Sequence, residues 1–133
     1  MNSYFLDTSI IIDFLIREKK ETINIINTLD GNITSSYICL AELYEGVERI
    51  KNKNHEENTI LLFFARLHNV FGLDHEIVRN FGHIRAELKS KGQVIEDIDI
   101  FIAATCIAHK QILITGNHKH FARVPGLKIF QSM

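Results

Sequence analysis

Tyr4-Phe5-Leu6-Asp7-Thr8-Ser9-Ile10-Ile11 is the stretch that decides the fold class. Three apolar residues read as a short strand, an acid ends it, and Thr8 or Ser9 offers a hydroxyl N-cap for a helix carrying Ile10, Ile11, Phe14 and Leu15. The alternation repeats down the chain. Residues 21–29 predict a second helix, stopped by Asp30-Gly31, and Ile33-Thr34-Ser35 a second strand, after which Ser36 caps a helix over about residues 37–50. Residues 55–68 are helical by apolar spacing, and Val70-Phe71-Gly72-Leu73 is strand-like. Ile77, Phe81, Ile84 and Leu88 mark one face of a long amphipathic helix closed by Gly92. Residues 98–108 are apolar or small at almost every position, as in a helix buried nearly all round. Residues 112–115 then read as a buried strand and residues 127–130 as a last one. Parallel strands need crossover connections, which helices usually supply, so the expected architecture is α/β: a three-layer α/β/α sandwich around a mostly parallel central sheet.

The 133 residues hold one proline, Pro125 near the carboxyl end, and no repeat, so a single domain over residues 1–133 is expected. With 46% apolar and 23% charged residues the composition is that of a globular protein rather than a disordered chain. The longest apolar run, residues 60–65, is far short of the roughly 20 residues a membrane-spanning helix needs. Asp7 and Asp13 interrupt the apolar residues near the amino end and no basic stretch precedes them, which argues against a secretory leader and for the cytoplasm. Cys39 and Cys106 lie in apolar helical contexts that suit buried thiols better than a disulfide. A net charge of −1 excludes a strongly basic nucleic-acid binder; local basic clusters stand at residues 17–20, 49–53 and 85–91.

In open parallel sheets ligands bind beyond the carboxyl ends of the strands, so the residues directly after each strand carry the functional information. Asp7 follows the first strand. Thr115, Gly116 and Asn117 end or follow the buried strand, Asp97 and Asp99 open the helix leading into it, and Glu42 lies in the helix after the second strand. Each acid also has a structural reading. Asp7 suits an Asx-turn or a helix cap, Asp97 an N-cap for a helix starting at Ile98, and Glu42, off the stripe of Leu40, Leu43, Tyr44 and Val47, a surface position. Asp99 is harder to place, because Ile100-Phe101-Ile102-Ala103-Ala104 leaves it no polar face. A helix dipole offers it about 0.3–1 kcal/mol, against a desolvation cost of several kcal/mol for an unpartnered carboxylate. Positive charge from elsewhere is therefore expected. Oxygen ligands without cysteine select a hard cation, Mg²⁺ or Mn²⁺, over zinc. His118 and His120 lie two apart in a polar turn and read as zinc ligands or as surface or phosphate-facing donors.

Phe5-Leu6-Asp7-Thr8-Ser9, Ala41-Glu42-Leu43-Tyr44-Glu45-Gly46, Ile98-Asp99-Ile100-Phe101-Ile102-Ala103-Ala104, and Ile114-Thr115-Gly116-Asn117 through Phe121 to Val124-Pro125-Gly126-Leu127 together resemble a PIN domain, most closely the VapC-type toxins of bacterial toxin-antitoxin pairs. The likeness runs over essentially the whole chain. It implies a magnesium-dependent endoribonuclease that hydrolyses RNA with an activated water, with Asp7, Glu42 and Asp99 as catalytic, metal-holding acids. A further acidic position corresponds to Asn117, with Thr115 before it, and Thr8 or Ser9 is implied to add or orient a hydroxyl. The resemblance also implies homodimers and a cognate VapB-type antitoxin, for which Ile23, Ile26, Leu29 and residues 60–64 offer apolar surface. Lys119 and Arg123 are candidates for RNA backbone contacts.

Three rival readings remain at this level. A haloacid-dehalogenase-like phosphatase needs a second Asp where Ser9 stands. A phospho-acceptor receiver would need Asp74 as acceptor and lacks paired acids at the first strand. A PIN-like fold kept only as a protein-binding module is compatible with the uncharged Asn117.

Overall fold

The computed structural model describes residues 1–131. The elements run β1 (Asn2–Leu6), α1 (Thr8–Leu15), α2 (Lys20–Thr28), β2 (Gly31–Ser36), α3 (Tyr37–Val47), α4 (Lys53–Ala65), β3 (Asn69–Phe71), α5 (His75–Ser90), α6 (Asp97–Ala108), β4 (Ile112–Ile114) and α7 (His118–Phe121). The four strands form one sheet in the order β3-β2-β1-β4, and every pairing is parallel. The chain steps from β1 through β2 to β3 on one side and then returns to place β4 on the other side of β1. Right-handed crossovers in opposite directions put their helices on opposite faces, which gives the three-layer α/β/α sandwich.

Phe5, Leu6 and Leu113 in the sheet, Ile11 and Cys39 on one set of helices, and Ile77, Leu88, Ile100 and Ala103 on the other are at most 0–1% exposed and form one continuous core. Helix α5 lies along α6, joined by a Phe81–Phe101 stack with ring centres 4.0 Å apart. Caps fix the helix starts as expected from their residue types: Ser36 accepts from the Cys39 amide and Asp74 from the Ile77 amide. Cys39 and Cys106 are free and buried, and burial pushes the Cys39 thiol up to about 11.

Several boundaries differ from expectation. The last strand, residues 127–130, reduces to one parallel bridge between Leu113 and Ile129, held by the Leu113 amide to Lys128 and the Phe130 amide to Leu113. Helix α4 starts at Lys53 and ends at Ala65. Asp74, the rival phospho-acceptor, is engaged in capping α5 and in a 2.8 Å contact with His109. The basic clusters are largely neutralised: Arg17 and Lys19 pair with Asp13, Arg49 with Glu45, Lys53 with Glu48, Arg85 with Asp97 and Lys91 with Glu87. Among the described residues no helix is long and apolar enough to cross a membrane.

Candidate active site

Asp7 leaves β1 in an extended conformation, φ −68° and ψ 158°, which turns its side chain over the start of α1. Oδ1 accepts from the Thr8 amide at 2.8 Å, and Oδ2 accepts from the Thr115 hydroxyl, 2.7 Å away at the end of β4. The capping reading and the strand-end reading of Asp7 thus both hold. Thr115 Oγ1 in turn accepts from the Asn117 amide at 2.9 Å, so the loops after two adjacent strands are tied to one carboxylate. Asp7 is 6% exposed; burial raises its carboxyl above the ordinary range, partly offset by hydrogen bonds from Thr115, Thr8 and Ser9.

Glu42 sits in the second turn of α3 and faces Asp7 rather than open solvent. The Thr8 hydroxyl donates to its Oε1 at 2.5 Å. Burial raises its carboxyl, the Thr8 hydrogen bond opposes this, and nearby Asp7, Glu96 and Glu45 add to the rise. Asp99, half-buried in the first turn of α6, is pushed up to about 6, first by burial and then by the negative charges of Asp7, Glu96 and Glu42.

Asp7, Thr8, Ser9, Ile12, Glu42, Glu96, Asp99, Asn117 and His120 line one open cleft of about 310 Å³ at the carboxyl end of the sheet. Asp7, Thr8, Glu42, Asp99 and Asn117, drawn from four separate segments, therefore meet. Thr115 stands behind them, buried against Asp7. Asp97 does not join them. It is the first residue of α6 rather than its cap, Glu96 takes the cap position without a side-chain bond, and the Asp97 carboxylate pairs with Arg85 on α5 at 2.9 Å. Helical phase is the reason: a two-residue step turns about 200°, so Asp97 and Asp99 face opposite ways. By the same geometry Glu96, three residues before Asp99, shares its side. Sequence reading missed Glu96 as a site residue, and that spacing was the signal for it.

No Lys, Arg or His pairs with Asp7, Glu42, Glu96 or Asp99 among the described residues. The positive charge expected beside Asp99 is not supplied by any described residue. Nor do any three Asp, Glu, His or Cys side chains among the described residues stand close enough together to hold a metal ion as arranged here. Glu42 is turned onto Thr8, and uncompensated carboxylates repel. An open set of oxygen donors around an anionic cleft is what a hard, water-retaining divalent cation fits, since Mg²⁺ keeps several waters and takes one or two carboxylates. A larger cavity of about 440 Å³, at the opposite end of β1 and β4, has no carboxylate in its lining and offers no such chemistry.

A family model described as PIN domain matches residues 4–127. Ribonuclease VapC2 of Rickettsia felis is 33% identical over 126 residues, spanning 93% of each chain. The tRNA(fMet)-specific endonuclease VapC of Shigella flexneri is 31% identical over 129 residues, spanning 96% of each. The crystal structure of VapBC2 from Rickettsia felis bound to a DNA fragment from their promoter contains a chain that superposes with a TM-score of 0.89 at 30% identity, covering 98% of this chain and 99% of that one. Motif order, all-parallel topology, an acidic cleft at the strand ends and near end-to-end similarity agree: the chain belongs to the PIN domain family, among the VapC ribonucleases.

Proposed function

We propose that the protein is a divalent-metal-dependent endoribonuclease toxin, acting as one domain over residues 1–133, with Asp7, Glu42 and Asp99 as its catalytic acids. The observation that carries this reading is a cleft holding carboxylates from three separate elements, with burial raising all three, neighbouring acids adding to the rise at Glu42 and Asp99, and no cationic side chain paired to any of them among the described residues. When bound there, Mg²⁺ or Mn²⁺ supplies charge neutralisation at the phosphodiester and a more acidic water. Asp7 is the most firmly fixed ligand, pinned by the Thr8 amide and the Thr115 hydroxyl. Asp99 provides the second ligand from α6. Glu42, held by Thr8, orients the attacking water or completes the ligand set. Asn117 brings an uncharged amide oxygen to the rim.

A VapB-type antitoxin as partner is supported by a mostly apolar groove of about 430 Å³ beside the cleft, lined by Ile12, Ile16, Leu43, Gly46, Val47 and Ile50. Ile12 and Glu42 line both the groove and the cleft, so a segment lying in the groove runs directly to the acids. Leu61 and Leu62 on α4 are exposed, whereas Ile26, Ile60 and Phe64 belong to the core and offer nothing outside. Homodimers are part of the proposal.

The test is cleavage of RNA by the purified chain. Mg²⁺ is expected to support cutting and EDTA to stop it, while Asp7→Asn and Asp99→Asn lose activity and remain folded. Sequencing the new 5′ ends identifies the target. A metal-loaded, folded preparation that never cuts RNA returns the fold to a protein-binding role.

A further inference from the structure

His120 is the one nitrogen-bearing ring in a cleft otherwise lined by carboxylates, hydroxyls, an amide and Ile12. Its place is set by the fold. Phe121, the next residue, is fully buried in the core and anchors the short α7 helix. The Asn117 amide nitrogen, three residues earlier, donates to His120 Nδ1 at 2.9 Å. Asn117 is itself fixed through its backbone amide to Thr115, which holds Asp7. The ring is therefore the last member of a continuous chain of hydrogen bonds running Asp7, Thr115, Asn117, His120.

That chain has a direction. A ring nitrogen that accepts from an amide carries no hydrogen, so in the neutral imidazole the hydrogen resides on Nε2. Among the described residues Nε2 meets no acceptor on the protein, whereas Nδ1 is satisfied. His118, two residues away, is exposed and absent from the cleft lining. Among the side chains lining the cleft, only one other carries an N–H, the amide of Asn117, which is already engaged with His120.

Resting on the nuclease reading above, we propose that His120 is a substrate-contacting residue whose Nε2–H donates a hydrogen bond to a non-bridging oxygen of the RNA phosphate entering the cleft, with Asn117 as the positioning residue that selects this tautomer. The acids repel phosphate and the imidazole supplies the local counterpart, which makes the contact a means of drawing RNA in rather than of breaking its backbone.

The experiment combines kinetics with ring NMR. A hydrogen bond to a charged group corresponds to roughly a ten- to hundred-fold change in binding. His120→Ala is expected to raise KM for a short single-stranded RNA by that factor with a smaller change in kcat. His120→Gln, which keeps an N–H donor, regains part of it, and His118→Ala matches the parent protein. In metal-free protein, the 15N-detected Nε2–H signal that His120→Gln removes should shift when the same RNA is added. If the parent protein cuts RNA and KM is unaltered in both His120 variants, or the signal stays in place, the proposal fails and the nuclease reading stands. A fall confined to kcat with loss of one limb of the pH profile also overturns it, because that marks proton donation. A signal that moves in a protein that never cuts RNA keeps the contact and removes the nuclease reading.

Discussion

The Thr115 hydroxyl serves two neighbours at once, giving its hydrogen to Asp7 Oδ2 and accepting from the Asn117 amide. Both partners lie in a part of the molecule with little water, since Thr115 is 4% exposed and Asp7 6%. Thr115→Val keeps the shape and removes both bonds, leaving a carboxylate and an amide short of a partner. A loss of about 1–3 kcal/mol in unfolding free energy is expected, with Thr115→Ser close to the parent protein; urea titrations measure both. The same deletion takes away the strongest influence holding the Asp7 carboxyl down, so its proton becomes harder to remove. At this scale the sequence was partly legible. Asp7 and Asp99 were readable from the strand-end rule and from the lack of a polar face around Asp99. Glu42 was less so: the strand-end rule put it in the group, but a helical projection sets it off the apolar stripe, where alone it reads as a surface residue. Its neighbour across the cleft, the Thr8 hydroxyl, belongs to a helix 34 residues earlier, and no local pattern encodes that pairing.

Among the elements, β2 depends on its first residue. Gly31 pairs with Asn2 where the strands begin, and a Cβ there would collide with the Asn2 carbonyl oxygen and press on the Tyr4 ring. Gly31→Ala is expected to cost about 1–3 kcal/mol, the range for forcing an extra methyl into a packed site, and to widen the β1–β2 spacing; a lowered melting temperature with intact helix content checks it. An unchanged melting temperature would mean that the strand end shifts without penalty. Sequence patterning located nearly every element, since strand and helix periods differ and a cap such as Ser36 marks a start. It failed where tertiary placement decides. Residues 127–130 have the composition of a strand, yet only Ile129 bridges to β4; Gly126, at φ +81°, stands just before them. At the start of α6 a one-residue shift exchanged the cap from Asp97 to Glu96, and with it the acid that lines the cleft.

For the molecule as a whole, the order β3-β2-β1-β4 makes β1 the strand at which the chain's direction of travel across the sheet reverses, and the loops after β1 and β4 part there to open the cleft. Gathering acids at that point has a global cost. Asp99 titrates at about 6 in the folded protein against an ordinary 3.8. Between those values the folded state holds a proton that the unfolded chain has released, so the metal-free protein loses stability as pH rises through this window. The raised carboxyls of Asp7 and Glu42 act in the same sense. Asp74, held low by the Ile77 amide and His109, acts in the opposite sense, but only below its ordinary range. A divalent cation bound as proposed would take the ionised acids, so its stabilising effect should grow through the same window. Melting curves from pH 4.5 to 7.5 with EDTA or with Mg²⁺ test this: the metal-free transition falls, the gap between the two series widens, and Asp99→Asn flattens both trends. A gap independent of pH would sink the assignment of these acids to the ion.

One oxygen of the Asp7 carboxyl starts α1 and the other is held by the Thr115 hydroxyl, and the same residue lines the acidic cleft. Aspartate and asparagine codons differ by one base, and a carboxamide still presents an oxygen to the Thr8 amide. With Asp7 in the catalytic role proposed above, harmlessness lies a single point mutation away and requires no collapse of the architecture. A cell that disarms this protein by that route keeps an intact shell, which can go on sequestering whatever normally restrains an active copy.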